Sequence, residues 1–138
     1  MIVENRFRKL NFLSTSQKEE LIKKIRNYLS QKKDIVFAYI YGSFVNKRGF
    51  RDIDIALFMK EPIEAFELET DFSYELTTII GYPVEVRIIN NAPVSFQMAV
   101  LRMKEVVFSR DEGKHTDFIQ DVGKRYIDYS HLREIAVR

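Results

Sequence analysis

Cysteine and tryptophan are absent from this chain, and proline occurs only three times. Without cysteine there are no disulfides, no thiolate metal ligands and no thiol nucleophile, which fits a reducing compartment. Neither sign of charge is in excess: 22 basic residues against 20 acidic ones leave a net charge of +2. That is too little to carry general nucleic-acid binding. No apolar run approaches the roughly 20 residues that span a bilayer, and the opening MIVENRFRKLNFLS lacks the continuous apolar stretch of an export signal. These absences point to a soluble cytoplasmic protein with no membrane contact and no direct nucleic-acid binding.

What is present suits a packed globule. Apolar residues make up 46% of the 138, with 11 Phe and 7 Tyr, and 30% of the residues are charged. A chain of this size buries a core as one domain without staples. We read residues 1–138 as that domain, with a core over about 16–90 and a C-terminal helical extension over about 93–138.

Along the chain, Ser16-x-x-Glu19 has the capping-box pattern and opens an amphipathic helix over 17–31, with Leu21, Ile22, Ile25, Tyr28 and Leu29 on its apolar face. The run 35–41 predicts a strand covered on both sides, Ile35, Phe37, Tyr39 and Tyr41 on one face and Val36, Ala38 and Ile40 on the other. A second strand follows Asp52, with Ile53, Ile55, Leu57 and Met59 sharing a face. Glu61-Pro62 starts a helix that ends at Gly81, with Ile63, Phe66, Leu76, Ile79 and Ile80 as its buried stripe. A third strand, 84–89, places Glu85 and Arg87 opposite an apolar face. A short helix over 94–104, a small strand over 105–108 and a last amphipathic helix capped by Asp111 or Thr116 complete the chain. In that helix Phe118, Ile119, Val122, Tyr126 and Ile127 align, while His115 and His131 lack metal-ligand spacing and read as surface or interface residues. The fold class is α/β (α+β), a small mixed sheet with helices packed on it.

The chemistry is concentrated in DIVFAYIYGSFVNKRGFRDIDIALFM, residues 34–59. Asp52 and Asp54, at i and i+2 of a strand, project from one face, and two adjacent carboxylates raise each other's pKa unless a cation neutralises them. A hard, all-oxygen pair is suited to Mg2+ or Mn2+. Gly42-Ser43, ending the preceding strand, lets backbone N–H groups approach a phosphate and adds a hydroxyl donor, and a helical turn over 43–46 would aim further N–H groups at an anion. If the third strand lies beside the second, Glu85 joins Asp52 and Asp54, and three carboxylates would hold two divalent ions; an ordinary Glu85–Arg87 salt bridge is the competing reading. Lys47, Arg48 and Arg51 either touch phosphate oxygens or a partner, or solvate the turn, with Arg51 best placed.

Gly42-Ser43, Asp52-Ile53-Asp54 and Glu85 together resemble the signature of the DNA polymerase beta-like nucleotidyltransferase superfamily in its minimal single-domain (MNT) form. The segment VLRMKEVVFSRDEGKHTDFIQDVGKRYIDY is similar to the tails of MntA-type antitoxins, which pair with HEPN-domain ribonuclease toxins. The resemblance implies a polymerase beta-like fold and ATP as substrate. It implies that Gly42 and Ser43 hold the β- and γ-phosphates of the nucleotide, beside which Arg51 is placed by its position in the turn to bind as well, and that Asp52, Asp54 and Glu85 are the catalytic residues and the ligands of two Mg2+ ions. It further implies AMP transfer to a hydroxyl, expected to be a tyrosine, of a HEPN toxin held in a hetero-oligomer. A non-catalytic antitoxin that neutralises its partner by docking stays open, as does a small-molecule adenylyltransferase.

Overall fold

The computed structural model describes residues 9–61 and 64–136. Its elements are β1 (Asn11–Phe12), α1 (Thr15–Ser30), β2 (Ile35–Tyr41), α2 (Ser43–Asn46), β3 (Gly49–Phe50), β4 (Ile53–Met59), α3 (Ala65–Ile80), β5 (Val84–Ile88), α4 (Val94–Arg102), β6 (Lys104–Ser109) and α5 (Glu112–Ala136). Four strands form a mixed sheet in the order β5-β4-β2-β6, with β4 and β5 parallel and the other pairs antiparallel. β1 and β3 form a separate antiparallel pair. The segment after residue 93 thus supplies a sheet strand as well as two helices.

The two central strands of the sheet are covered on both faces. One face packs Ile40, Ile55, Leu57 and Val86 against Ile25 and Leu29 of α1 and Phe72 and Leu76 of α3. The other packs Phe37, Tyr39 and Ala56 against Val100 of α4 and Phe118 and Val122 of α5. Each fully buried aliphatic side chain contributes about 1.5–3 kcal/mol relative to exposure, so this central double layer dominates stability.

Several local expectations are corrected. The first helix is capped by Ser14, not Ser16: Gln17 N donates to Ser14 Oγ (3.1 Å) and Ser14 N donates to Gln17 Oε1 (2.9 Å). Glutamine closes the box as well as glutamate does, which shifts the start two residues upstream of Gln17. In β2 a register shift between Ile35 and Phe37 places Ile35 with Ala38 and Ile40, and Val36 with Phe37 and Tyr39. A bulge adds one residue and inverts the alternation on one side of it.

In α3, Phe66 and Ile79 are exposed and Phe72 takes the buried position beside Leu76 and Ile80. Pro62 and Ile63 lie outside the described residues, and the helix ends at Gly81 with φ 81°. α4 stops at Arg102, two residues short of the expected end. Asp111, not Thr116, caps α5, accepting from Lys114 N at 3.0 Å. Ile119 and Ile127 of α5 are exposed, whereas His115 is buried, its Nε2 2.6 Å from Tyr39 Oη.

The outer edge of β5 is covered by α3 through side chains. Thr77 Oγ1, Ser73 Oγ and Glu69 Oε2, spaced four residues apart, accept from the N–H groups of Val84 (3.0 Å), Val86 (2.9 Å) and Ile88 (2.8 Å). Those are the groups a sheet edge otherwise leaves open to another strand.

Candidate active site

β2 ends at Tyr41 and the chain turns sharply at Gly42, whose φ of 82° lies in the left-handed region that glycine adopts without penalty. A Cβ at this position would stand 2.9 Å from Asp54 Oδ2. The missing side chain therefore does two things: it permits the turn and it lets the backbone lie against the carboxylate. α2 then makes one turn, with Val45 N and Asn46 N donating to Gly42 O at 3.1 and 3.0 Å. The first N–H groups of such a turn have no acceptor within it.

Sheet pairing gathers the acids. Asp54 of β4 is level with Tyr41 of β2 on one side and with Glu85 of β5 on the other. The parallel β4–β5 pair that the three-acid arrangement requires is thus present. Asp52 and Asp54 line a cleft of about 510 Å3 with Ser43, Lys47 and Arg51, and Leu10 bounds it from the N-terminal side. Arg48 does not line it.

Electrostatics mark Asp54 as the strained member. Partial burial, then the nearby charges of Glu85 and Asp52, push its carboxyl up from 3.8 to about 6, with Arg87 acting in the opposite sense. Tyr41 is also perturbed: burial, then Asp54 and Glu85, hold its phenol above the ordinary 10.

Glu85 is drawn the other way. Arg87 Nε and Nη2 both donate to Glu85 Oε1, at 3.1 and 2.7 Å, between side chains that are each about half exposed. Among the described residues, no three carboxylate or imidazole groups converge closely enough to hold a metal ion.

Two contributors have no signal in the sequence. Lys18 of α1 reaches the carbonyl oxygens of Phe44 and Lys47 and so holds the turn between Ser43 and Asp52; nothing in its local pattern singles it out. Tyr41 is one of seven tyrosines, distinguished only by preceding Gly42 and by its pairing with Asp54.

The family model described as "Polymerase beta, Nucleotidyltransferase" matches residues 23–113, which include every element of this site from β2 to β5. The chain belongs to the polymerase beta-type nucleotidyltransferase family. Among solved structures it is similar to a tri-AMPylated Shewanella oneidensis HEPN toxin in complex with MNT antitoxin, at 15% identity over 87% of this chain and 95% of that one, with a TM-score of 0.73. It is also similar to a toxin-antitoxin structure with AMP-PNP, at 16% identity over 84% of this chain and 94% of that one, with a TM-score of 0.74. A third match, the toxin-antitoxin MntA-HepT, is 14% identical over 86% of this chain and 95% of that one, with a TM-score of 0.72. At these identities the likeness is one of fold. No curated protein matches the chain in sequence.

Proposed function

We propose that this chain is a Mg2+-dependent nucleotidyltransferase that moves AMP from ATP onto a tyrosine hydroxyl of a HEPN-domain toxin, and that it serves in the cytoplasm as the antitoxin of that pair. The observation that carries the reading is the alignment of Asp54 with Glu85 across β4 and β5, next to the cleft that Ser43 shares with Asp52. The antitoxin role rests on the fold likeness to MNT–toxin complexes.

The donors fit the ions the family implies in chemical kind, and the three converge only once Glu85 has left Arg87. Asp52, Asp54 and Glu85 offer only hard carboxylate oxygens, and the ionised form of Asp54, disfavoured first by burial and then by the charges of Glu85 and Asp52, is the form a divalent cation would favour. These three residues would hold two Mg2+ ions, with Mn2+ able to substitute. Bound there, the ions would supply charge neutralisation for the pyrophosphate and a more acidic acceptor hydroxyl.

The chain's own groups do the rest. Gly42 and the N–H groups that follow it seat the β- and γ-phosphates, and the Ser43 hydroxyl donates to them. Lys47 and Arg51, on the cleft wall, balance the charge that builds on the leaving group. Glu85 must exchange its contact with Arg87 for the metal site.

That last requirement favours one alternative, an antitoxin that neutralises by docking alone, because the third acid is engaged by Arg87 at 2.7 Å. The two readings separate on the intact mass of the protein encoded beside this chain, after incubation with ATP and Mg2+. Gain of whole AMP units with the unmutated chain, and none with Asp52→Asn/Asp54→Asn, supports the enzyme. No gain, with an equally stable complex from both versions, supports docking.

A further inference from the structure

One wall of the Ser43 cleft comes from a segment upstream of residue 23, where the family match begins. β1 leads directly into the Ser14 cap of α1 and pairs with β3, Asn11 level with Phe50 and Phe12 level with Gly49. Carried one residue further, that register brings Leu10 level with Arg51, and both residues line the cleft. The contact is close. A Cβ on Gly49 would stand 2.8 Å from Leu10 Cγ and 2.9 Å from Phe12 Cε1, so glycine is what lets the strand lie down on the turn.

Leu10 differs in kind from the rest of the lining. Ser43, Lys47, Arg51, Asp52 and Asp54 bring a hydroxyl, two cations and two carboxylates, and Leu10 is the one aliphatic side chain among the described residues that line the cleft. It is 40% exposed, and Phe12, also against Gly49, is 60% exposed, so core burial does not account for this apolar pair. An aliphatic side chain makes no bond to a phosphate. Beside Lys47 and Arg51 it displaces water, and the attraction between a cation and an anion rises steeply as the surrounding water is removed. Those two cations serve the end of the cleft where Gly42 and Ser43 seat the β- and γ-phosphates.

We infer that β1 is a cover over the leaving-group end of the donor cleft, with Leu10 as the side chain that shields the β- and γ-phosphates, and the pyrophosphate formed from them, from water. The inference rests on the nucleotidyltransferase reading and adds to it a binding residue outside the segment the family match spans. A pair of two-residue strands is marginal by itself. The cover therefore lifts for the donor to enter and for pyrophosphate to leave without disturbing the four-stranded sheet. Lys18 holds the same turn from its other side, through the carbonyls of Phe44 and Lys47, so the turn stays in place while β1 moves.

The test titrates the full chain with AMP-PNP and, separately, with inorganic pyrophosphate, each with Mg2+, by calorimetry at low and at high salt. The unmutated chain should bind both. Leu10→Ala should weaken both about tenfold and steepen the loss of affinity with salt, because an uncovered ion pair is screened more. Leu10→Met, which restores the aliphatic volume, should bind within about twofold of the unmutated chain. Gly49→Ala, which pushes β1 off the turn, should reproduce Leu10→Ala. Unchanged affinities in both alanine variants overturn the cover while leaving the transferase standing. AMP-PNP weakened while pyrophosphate is unaffected or unbound overturns it in favour of a contact to the nucleoside. A tenfold loss with an unchanged salt dependence overturns it in favour of a strand that only shapes the cleft. Binding of neither probe by the unmutated chain overturns the nucleotidyltransferase reading and the cover with it.

Discussion

The ammonium of Lys18 donates to the carbonyl oxygen of Phe44 at 2.8 Å, and it reaches the carbonyl of Lys47 at 3.2 Å. It also lies over the Phe44 and Phe50 rings, 5.1 and 5.8 Å from their centres. The turn that carries Ser43 is therefore fastened from α1, and the partial negative charge at the end of α2 is met by a cation.

Lys18→Met keeps the aliphatic stem against the two rings and removes the donor. A hydrogen bond to a charged group contributes about 1.5–3 kcal/mol, so the KM for ATP should rise about tenfold or more, with kcat nearly unchanged. Steady-state kinetics alongside a thermal melt check this. A fall in kcat at constant KM would place Lys18 in the chemical step instead.

Gly42→Ala should separate activity from stability. The left-handed backbone costs a residue with a side chain about 1–2 kcal/mol, a modest drop in melting temperature. The added methyl, 2.9 Å from Asp54 Oδ2, displaces the carboxylate itself, and a misplacement of this order reduces transfer about a hundredfold. Gly123→Ala is the matched control, because a Cβ there meets nothing within 4 Å and helix propensity favours alanine.

Asp54 gives the protein a pH-dependent weakness. Its carboxyl holds a proton more tightly folded, at about 6, than unfolded, at 3.8. Its favourable contribution is therefore complete below about pH 4 and is lost as the pH rises through about 6. Asp54→Asn should melt above the unmutated chain at pH 7 and lose that advantage at pH 4, while transfer disappears. Mg2+ should raise the pH 7 melting temperature of the unmutated chain and not of the variant.

His115 acts with the opposite sign. Burial lowers its pKa from 6.5, against the pull of Glu112, and its ring lies 4.5 Å from that of Phe37. The folded state favours the neutral imidazole, so this contribution is present above the ordinary pKa and lost as the pH falls through the depressed one. Melting curves at pH 7 and pH 5 should show the unmutated chain losing more than His115→Phe between the two.

The central strands β2 and β4 were legible because their runs are apolar on both faces, β5 because it alternates, and the acids because D-x-D follows Gly-Ser at a spacing one hairpin can close. Gly81 stopped α3 as its φ of 81° requires. What the sequence concealed depends on contacts far along the chain. The inverted faces at Ile35 and Val36 come from pairing with β4, since the residue types alone suit either side. Phe66 and Phe72 are both candidates for a buried stripe, and only the position of α3 against α1 selects Phe72. His115 reads as a surface residue until Tyr39, 76 positions earlier, supplies its partner. β1 and β3 are two-residue strands that exist only through each other. The Glu85–Arg87 contact was foreseeable from their i, i+2 spacing, but whether Glu85 prefers Arg87 or the aspartates is an electrostatic balance that spacing does not express.

The polar row of α3 closes one border of the sheet. With Thr77, Ser73 and Glu69 occupying the outward N–H groups of β5, no strand from another molecule can be added there, and any extension of the sheet is directed to the β6 border. The same three contacts fix the height of β5 against its neighbour at alternate residues, Val84 and Val86 on either side of Glu85. Substituting a half-buried threonine or serine on the β5-facing side of a helix, well outside the cleft, would thus loosen the strand that sets where the third carboxylate stands.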